Sequence, residues 1–519
     1  MQNDFKAIPK EKFEFANIGT IYRDEKLKTT PRGYFSDAFS RFKRNKSSVA
    51  AAFIIGFLIL FSIVAPILSP YTVADKDTTY QNYPPFIEGV AKLGIGGFLD
   101  GSAVRGSQNE LQLDALDAIG DETSYYPIIG EPSVTEIKEI YRGEERITYS
   151  YKARVNRYYE KGVVFKVISY DEFEDIQRWQ NDTGIQVIYP YVEQGDVYIN
   201  KKENESFPQR NSNIWYQCLD SRGTAALDSD GKRIPAYSTD KAKEGAEYNS
   251  LRIEGDDGSY IYSVSRSGSL EVRMCYYNYY RYMNGHAPAY AFGTDEFGRD
   301  LFSALGMGAR FSLVFATVVS AINLTIGVLY GAVQGFYGGL ADLGMDRVTD
   351  ILSGVPFIVV ATLFQLHLAE RVGIVPSFLF AFVLTGWIGM AALTRKQFYR
   401  FKSQEYVLAA RTLGAKDLRL MFKHIFPNAI GTIITSSVLV IPGVISSETT
   451  LTYLGIVNLS SFVGTSVGEL MASGQQAMTS APHAMLFPAL FVSLLLISFN
   501  LFGNGLRDAF NPSTRGAED

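Results

Sequence analysis

The stretch FSLVFATVVSAINLTIGVLYGAVQGFYGGLA, residues 311–341, runs for 31 positions without a charged side chain. A hydrocarbon core about 30 Å thick needs roughly 20 apolar residues of helix. A charge at its centre costs about 2.5–3.5 kcal/mol on insertion scales. The stretch is therefore read as a membrane span, although the 519-residue chain has a mean hydropathy of only +0.01. Working outward, residues 49–68, 351–369, 372–394, 425–447 and 482–506 are uncharged too. Six spans are predicted, and so many charge-free runs argue against the buried helices of a soluble protein.

Lysine and arginine give the orientation. RFKRNK at 41–46 places four of them directly before the first run, and residues 395–423 hold eight against only Glu405 and Asp417, whereas 448–481 holds none. Basic residues mark the cytoplasmic side, so the N-terminus and the 395–423 loop are expected inside, and six crossings return Arg507 to the same side. A polar lead of nearly fifty residues precedes the first run; no cleavable signal is expected, and the first span is its own anchor. Gly and Ser line several runs, and Pro356, Pro376, Pro442 and Pro488 interrupt them, as helix packing and kinking in membranes allow. No Asp, Glu, Lys or Arg falls mid-span, which argues against a proton- or ion-coupled pump.

Residues 72–292 differ in kind. They hold 24 Lys plus Arg against 34 Asp plus Glu, a net charge of −10, and most of the tyrosines. RITYSYKARV (146–155), GVVFKVISY (162–170) and GIQVIYPYV (184–192) alternate as strands do. DEFEDIQRWQND (171–182) predicts a helix closed by Gly184, and SYIYSVSRSGSLEVRMCYYNYY (259–280) a hairpin turning near Ser267-Gly268. An α+β domain on the outer side follows. Cys218 and Cys275 both fall here; an oxidising exterior makes a disulfide reasonable, and two buried free thiols are the alternative. The tyrosines are expected as half-buried strand residues rather than a sugar- or peptide-stacking surface. With only His286, His367, His424 and His483 in the chain, neither a metal-ligand spacing nor a nucleophile–base set emerges.

Between the last charge-free runs but one lies EYVLAARTLGAKDLRLMFKHIFPN, residues 405–428. Glu405–Leu413 predicts a short helix, Gly414 a break or close approach, Lys416–His424 a second helix, and Pro427 the start of the fifth span. Tyr406, Ala409, Ala410 and Leu413 are expected to share a face where the alanines let a partner come close. An amphipathic helix on anionic lipid is the alternative.

AARTLGAKDLRLMFKHIFPN resembles the coupling-loop signature of ABC-importer permeases: E-A-A, three residues, G, then nine residues to I-x-L-P. Ala409, Ala410, Gly414 and Pro427 match; Leu408 stands where Glu is usual, His424 where Ile is usual, and Phe426 for Leu, with Glu405 one turn earlier. GTDEFGRDLFSALGMGARFSL (293–313) looks like the segment before the second span in permeases of dipeptide, oligopeptide and nickel importers, through Gly293, Thr294, Asp295, Gly298, Arg299, Asp300, Gly308 and Arg310. RFKRNKSS and FNLFGNGLRDAFNP (499–512, with Asn504 for a common Asp) are similar to one of the two paralogous permease subunits. SETTLTYLGI (447–456) looks like the family's outer helix after the fifth span. The resemblance covers about residues 36–71 and 293–512, and 72–292 has no counterpart in it.

The resemblance implies an all-α polytopic membrane bundle, the type I ABC importer permease fold with six transmembrane helices, carrying an inserted α+β extracytoplasmic domain. The expected divisions are 1–48, a cytoplasmic segment with an amphipathic helix; 49–69, the first span; 72–292, the outer domain; 293–506, the core permease; and 507–519, a cytoplasmic tail. It implies half of a pathway for peptides, with nickel complexes or glycosides as other cargoes, in a bacterial or archaeal cytoplasmic membrane. Implied partners are a homologous second permease, two ATP-binding subunits carrying ATP and magnesium, an extracytoplasmic substrate-binding protein and membrane lipid, with no nucleic acid. The chain lacks G-x-x-x-x-G-K-[ST], so no cofactor and no ATP hydrolysis of its own is expected. The implied coupling residues are Glu405, Tyr406, Ala409, Ala410, Leu413, Gly414, His424 and Pro427. A reading of another class makes the chain a receptor or adhesion module acting through 72–292. Thr449–Gly468 is expected as an outer or re-entrant helix, not a seventh crossing.

Overall fold

The computed structural model describes residues 34–92, 99–107, 111–141, 144–192, 197–199, 213–219, 224–236, 262–459 and 464–510; the extreme N-terminal lead and the tail from 511 lie outside them. Helix α1 (Tyr34–Arg44) is amphipathic. It turns Ala38 and Phe42 inward, with Phe42 edge-on to Phe502 at 5.3 Å, and leaves Phe39 exposed. Asn45 caps α2 (Lys46–Leu68) by accepting from the Ser48 N–H.

Two antiparallel sheets follow. In the first, β1 (Ser102–Ser107), β2 (Ile128–Tyr141) and β3 (Glu144–Asn156) are ordered β1-β3-β2, with α3 (Leu111–Thr123) between β1 and β2 in sequence. In the second, β4 (Val163–Ile168), β5 (Ile188–Tyr189) and β6 (Ser263–Arg266) pair with β7 (Ser269–Cys275). Helix α4 (Tyr170–Thr183) starts on Ser169, whose side chain accepts from the Glu172 N–H, and closes on Gly184 at φ 70°. The β6–β7 turn has Ser267 at φ 48° and Gly268 at φ 86°, the left-handed pair a two-residue hairpin needs.

Four expectations fail here for identifiable reasons. GIQVIYPYV pairs as strand only at Ile188–Tyr189, because the Gln180 side chain accepts from the Val187 and Ile188 N–H groups at 2.7 and 2.8 Å. The predicted hairpin ends at Cys275, and Tyr276–Asn284 is helix α5, closed by Gly285 at φ 72°. Its tyrosines enter a buried aromatic cluster: Tyr80 packs 4.9–5.0 Å from Tyr83, Tyr158 and Tyr276. Many tyrosines are thus core, not half-buried strand residues. Cys218 and Cys275 are not bridged. Cys275 sits in the aromatic cluster and Cys218 in a separate one with Ala118 and Tyr216, so each thiol is sealed in its own apolar site. Burial pushes Cys275 up to about 11.

The chain then enters the bundle: α6 (Leu301–Tyr337), α7 (Gly339–Ser353), α8 (Phe357–His367), α9 (Ile374–Lys402), α10 (Glu405–Thr412), α11 (Asp417–Tyr453), α12 (Val467–Gln476) and α13 (Pro482–Phe510). Helices α2, α6, α9, α11 and α13 are each long and apolar enough to cross a membrane. The expected span at 351–369 is instead the bent pair α7–α8, turned by 72°, and six crossings result only if that pair counts as one. Pro356 at the break has no N–H to give and biases Val355 out of helix. Lipid offers no hydrophobic drive between helices, so close packing must hold them. Gly327, Gly331 and Gly335 supply it along α6, where a Cβ on Gly331 would fall 2.2 Å from the Ala391 carbonyl oxygen of α9.

The bundle has two distinct ends. At one, Ser48 of α2 donates to the Leu501 carbonyl of α13, and α6 and α9 finish beside α10. At the other, α2 ends on Ser69, α6 begins on Asp300, and His483 of α13 bonds the Thr294 carbonyl.

Candidate functional site

The 293–310 motif ties the second of these ends together. Asp295 Oδ1 accepts from the Phe297 and Arg299 N–H groups, each at 2.9 Å, while its Oδ2 accepts from Arg299 Nε at 2.7 Å. Arg299 Nη1 reaches the Gly464 carbonyl at 3.1 Å, and both charged side chains are more than nine-tenths buried. Asp300 caps α6 through Phe302 and Ser303 and accepts from the Ser69 hydroxyl at 2.7 Å. Burial pushes its carboxyl up to about 6, against the pull of those hydrogen bonds. Thr294 Oγ1 donates to the Tyr80 carbonyl and accepts from the Tyr83 N–H. Gly293 and Gly298 have φ of 78° and 74°, and a Cβ on Gly298 would meet the Asp77 carbonyl oxygen at 1.9 Å. Gly308 lets α6 approach the backbone at Ser466. Arg310 stays exposed, outside this knot.

The coupling-loop residues gather at the opposite end, roughly 55 Å away along α6 at 1.5 Å per residue. Val407 of α10 is fully buried among Ala332 and Phe336 of α6, Phe398 of α9, and Leu420, Met421 and Ile425 of α11, with Ala410 packed partly against them. Tyr406, Leu408, Ala409 and Leu413 point the other way, Leu413 at 88 % exposure, and Leu418 is bare as well. The expected four-residue face is therefore divided: Ala410 goes inward with Val407, three positions away on the helix. Glu405 is exposed in the first turn and makes no cap; Gln404 holds that position without a side-chain bond.

The end of α10 shows why a glycine is needed there. Gly414 N–H donates to the Arg411 carbonyl and Ala415 N–H to the Ala410 carbonyl, the two-bond closure that requires a left-handed residue. Gly414 supplies it at φ 83°, in open space. The expected second helix is not separate. From Asp417 the chain runs on unbroken into the fifth span through a π turn, Leu420–Ile425, in which Phe426 N–H bonds the Met421 carbonyl five residues back. Pro427 would leave a carbonyl four residues earlier without a donor, and a widened turn is the usual accommodation. His424 is half-buried, its carbonyl accepting from Asn428 Nδ2 at 2.8 Å.

Two groupings were absent from the sequence reading. Near the loop end, Arg395 of α9 donates to Asp342 Oδ2 at 2.7 Å and Asp346 Oδ1 at 3.0 Å of α7, and Tyr399 also donates to Asp342. Their signal was two acids four apart, Asp342 and Asp346, between the charge-free runs 311–341 and 351–369. Within α11, which extends beyond the expected Ser447 to Tyr453, Glu448 is fully buried. Its Oε2 accepts from Ser312 of α6 at 2.8 Å, and Oε1 has no partner among the described residues. This corrects the expectation of spans free of carboxylates. Of Thr449–Gly468, expected as an outer or re-entrant helix, Thr449–Tyr453 end α11 and Val467–Gly468 begin α12, while residues 460–463 lie outside the described residues.

Comparison with known proteins falls on the bundle. A family described as the binding-protein-dependent transport system inner membrane component matches residues 305–516, and the N-terminal TM domain of oligopeptide transport permease C matches 33–85. The oligopeptide transport system permease protein OppC of Bacillus subtilis is 41 % identical over 227 residues, 43 % of this chain and 72 % of that protein. The dipeptide transport system permease protein DppC of the same organism is 38 % identical over 225 residues, 43 % of this chain and 69 % of that one. A solved inward-facing structure of the MetNI methionine ABC transporter aligns with 40 % of this chain and 96 % of its own, at 13 % identity and a TM-score of 0.33. The matched families leave residues 86–304 between them.

Proposed function

The chain belongs to the family of binding-protein-dependent transport inner membrane components, and from that premise we propose that it forms half of the translocation pathway of a peptide importer, driven by ATP-binding subunits that dock on α10. The observation that carries the reading is the division of α10 into a locked and a bare face. Val407 is fixed in the bundle, while Leu408, Ala409, Leu413 and Leu418 stand uncovered. Covering one leucine side chain contributes about 1.5–3 kcal/mol, so a matching groove has ample reason to bind here. Because the locked face touches α6, α9 and α11 at once, a push on α10 reaches three spans. A stiff, packed contact of this kind transmits discrete states better than a soft tether.

On this reading the loop end faces the cytoplasm, with Lys and Arg of 395–423 beside it and both described termini on that side. The partners are a homologous permease, two ATP-binding subunits holding ATP and magnesium, and an extracytoplasmic binding protein that delivers cargo to the other end. Peptides are the cargo named for the relatives OppC and DppC; nickel complexes and glycosides are the competitors. The receptor reading gains nothing from the matches, which lie on the bundle and reach the outer domain no further than residue 85. The test is reconstitution with both kinds of partner and measurement of peptide uptake and coupled ATP hydrolysis. Gly414→Trp, which strains the left-handed closure of α10, should lower both while leaving membrane insertion intact. Normal transport by that variant would refute docking through this loop.

A further inference from the structure

A cavity of about 370 Å³ lies at the root of the outer domain, between α5, β4 and the 71–79 segment, beside the Asp300 cap of α6. Rings of Tyr71, Tyr279, Tyr280 and Tyr290 contribute to its walls. Asp75, Lys76, Asp77, Lys166 and Asp300 line it as well, and of these Asp77 and Lys166 form an opposite pair that is half satisfied. Lys166 rests its ammonium 4.3 Å from the Tyr279 ring centre and 5.3 Å from that of Tyr276. To the described residues it donates no hydrogen bond, and it forms no ion pair with them. Burial draws its pKa below the ordinary lysine range, with Asp77 and Glu172 acting the other way. Asp77 is anchored through Oδ1 alone, by the Thr79 N–H at 2.9 Å and the Tyr276 hydroxyl at 2.7 Å; its Oδ2 accepts from none of the described residues.

A held cation lacking an anion, a held carboxylate with one oxygen open, and aromatic walls between them suit a ligand bearing both charges. Burying either charge without a partner is costly, so a zwitterion that answers both is favoured over an ion that answers one. Ligand pockets run from about 300 to 1,000 Å³, which admits two or three small residues here. We propose that this cavity binds a short zwitterionic peptide, with its ammonium on Asp77 Oδ2, its carboxylate on Lys166 Nζ, and its body against the tyrosine rings. The choice of a peptide rests on the importer reading above. The residues that hold it belong to the flanks of the insertion and to β4, apart from the coupling loop, so the outer domain would act on cargo at the mouth of the bundle.

The test is calorimetric titration of the full chain in lipid nanodiscs with dialanine, N-acetyl-dialanine and dialanine amide. Saturable dialanine binding is expected, at least tenfold weaker for the amide and for Lys166→Met, with amidation costing nothing further in that variant. Acetylation and Asp77→Asn should pair in the same way, and Lys166→Arg should bind within a few-fold of the unaltered chain. The inference is overturned if dialanine does not bind, if the capped peptides bind as tightly as dialanine, or if amidation costs as much in Lys166→Met as in the unaltered chain. Changing the ligand needs no variant to fold. Uptake by the assembled importer without binding here would refute the cavity and leave the transport reading standing; binding here without uptake of any peptide would do the reverse.

Discussion

The two ends of α6 are built on opposite principles. Around Asp295, Arg299 and Asp300 every charge is answered from within, by backbone N–H groups, a neighbouring side chain or a carbonyl. Around α10 the inner face is just as tightly packed, but the outer side leaves Tyr406, Leu408 and Leu413 uncovered among Glu405 and Arg411. A region complete in itself reads as structure; a region complete on one side reads as half of an interface. The difference teaches that a motif's resemblance to a family does not say which kind of work its residues do, since both segments resemble family motifs and only one is left open.

The largest expected effect breaks the closed end. Arg299→Ala leaves Asp295 buried without its partner, at about 3–5 kcal/mol, and the variant should fail to accumulate in the membrane fraction. Accumulation at the unaltered level with the same unfolding midpoint would show that the knot is not structural.

Next comes a titration at the same end. Asp300 has its folded pKa raised from 3.8 to about 6 by burial, so the neutral acid is favoured in the folded state. The stability it contributes is present in full below about pH 4 and is lost as pH rises through 6, on the order of 2–3 kcal/mol. Asp300→Asn, which stays neutral, should therefore show a flatter unfolding midpoint between pH 4 and 7.5 than the unaltered chain. Equal slopes in the two proteins would contradict the assignment.

At the open end the effects should appear in coupling and not in stability. Leu413→Asp puts a charge on the bare face of α10 without touching Val407, and coupled ATP hydrolysis should fall at least tenfold while the unfolding midpoint holds. A shared loss of both would blur the contrast between the ends. The smallest effect is that of Gly414→Ala. Its site is open, so only the left-handed backbone resists, at about 1 kcal/mol. A few-fold loss of uptake is expected, and no change would mean that the closure of α10 matters little to coupling.

Much of this was legible in the sequence because membrane insertion is read from missing charge, a property that needs no partner. The runs at 49–68 and 482–506 lie in α2 and α13. The turn at Ser267-Gly268 and the closure at Gly184 were legible too, since each depends on a backbone angle that few residues adopt. What escaped depends on contacts between distant segments. Pro356 read as a kink within one span, yet the two halves turn by 72°. Pro427 read as a start, yet a π turn carries the helix through it. Tyr276–Tyr280 read as strand because aromatics favour strands, whereas the cluster around Tyr80 and Tyr158 rewards their helical spacing. Glu448 read as lying just past a span, and only its bond to Ser312 of another helix explains a carboxylate there. In 405–428 the first helix and the break at Gly414 were legible, but the split between Ala409 and Ala410 required the position of Val407.

The central claim is that the bare face of α10 is covered by an ATP-hydrolysing neighbour. The most direct measurement is thiol cross-linking in membranes holding the whole assembly, using Leu413→Cys and, at the knot, Phe297→Cys as the contrast; the chain's own two cysteines are buried. The account predicts a cross-link from position 413 to the ATP-binding subunit, protection of that thiol from a water-soluble maleimide, and neither effect at position 297. A freely labelled position 413 that joins no ATP-binding subunit at any stage of turnover would contradict it.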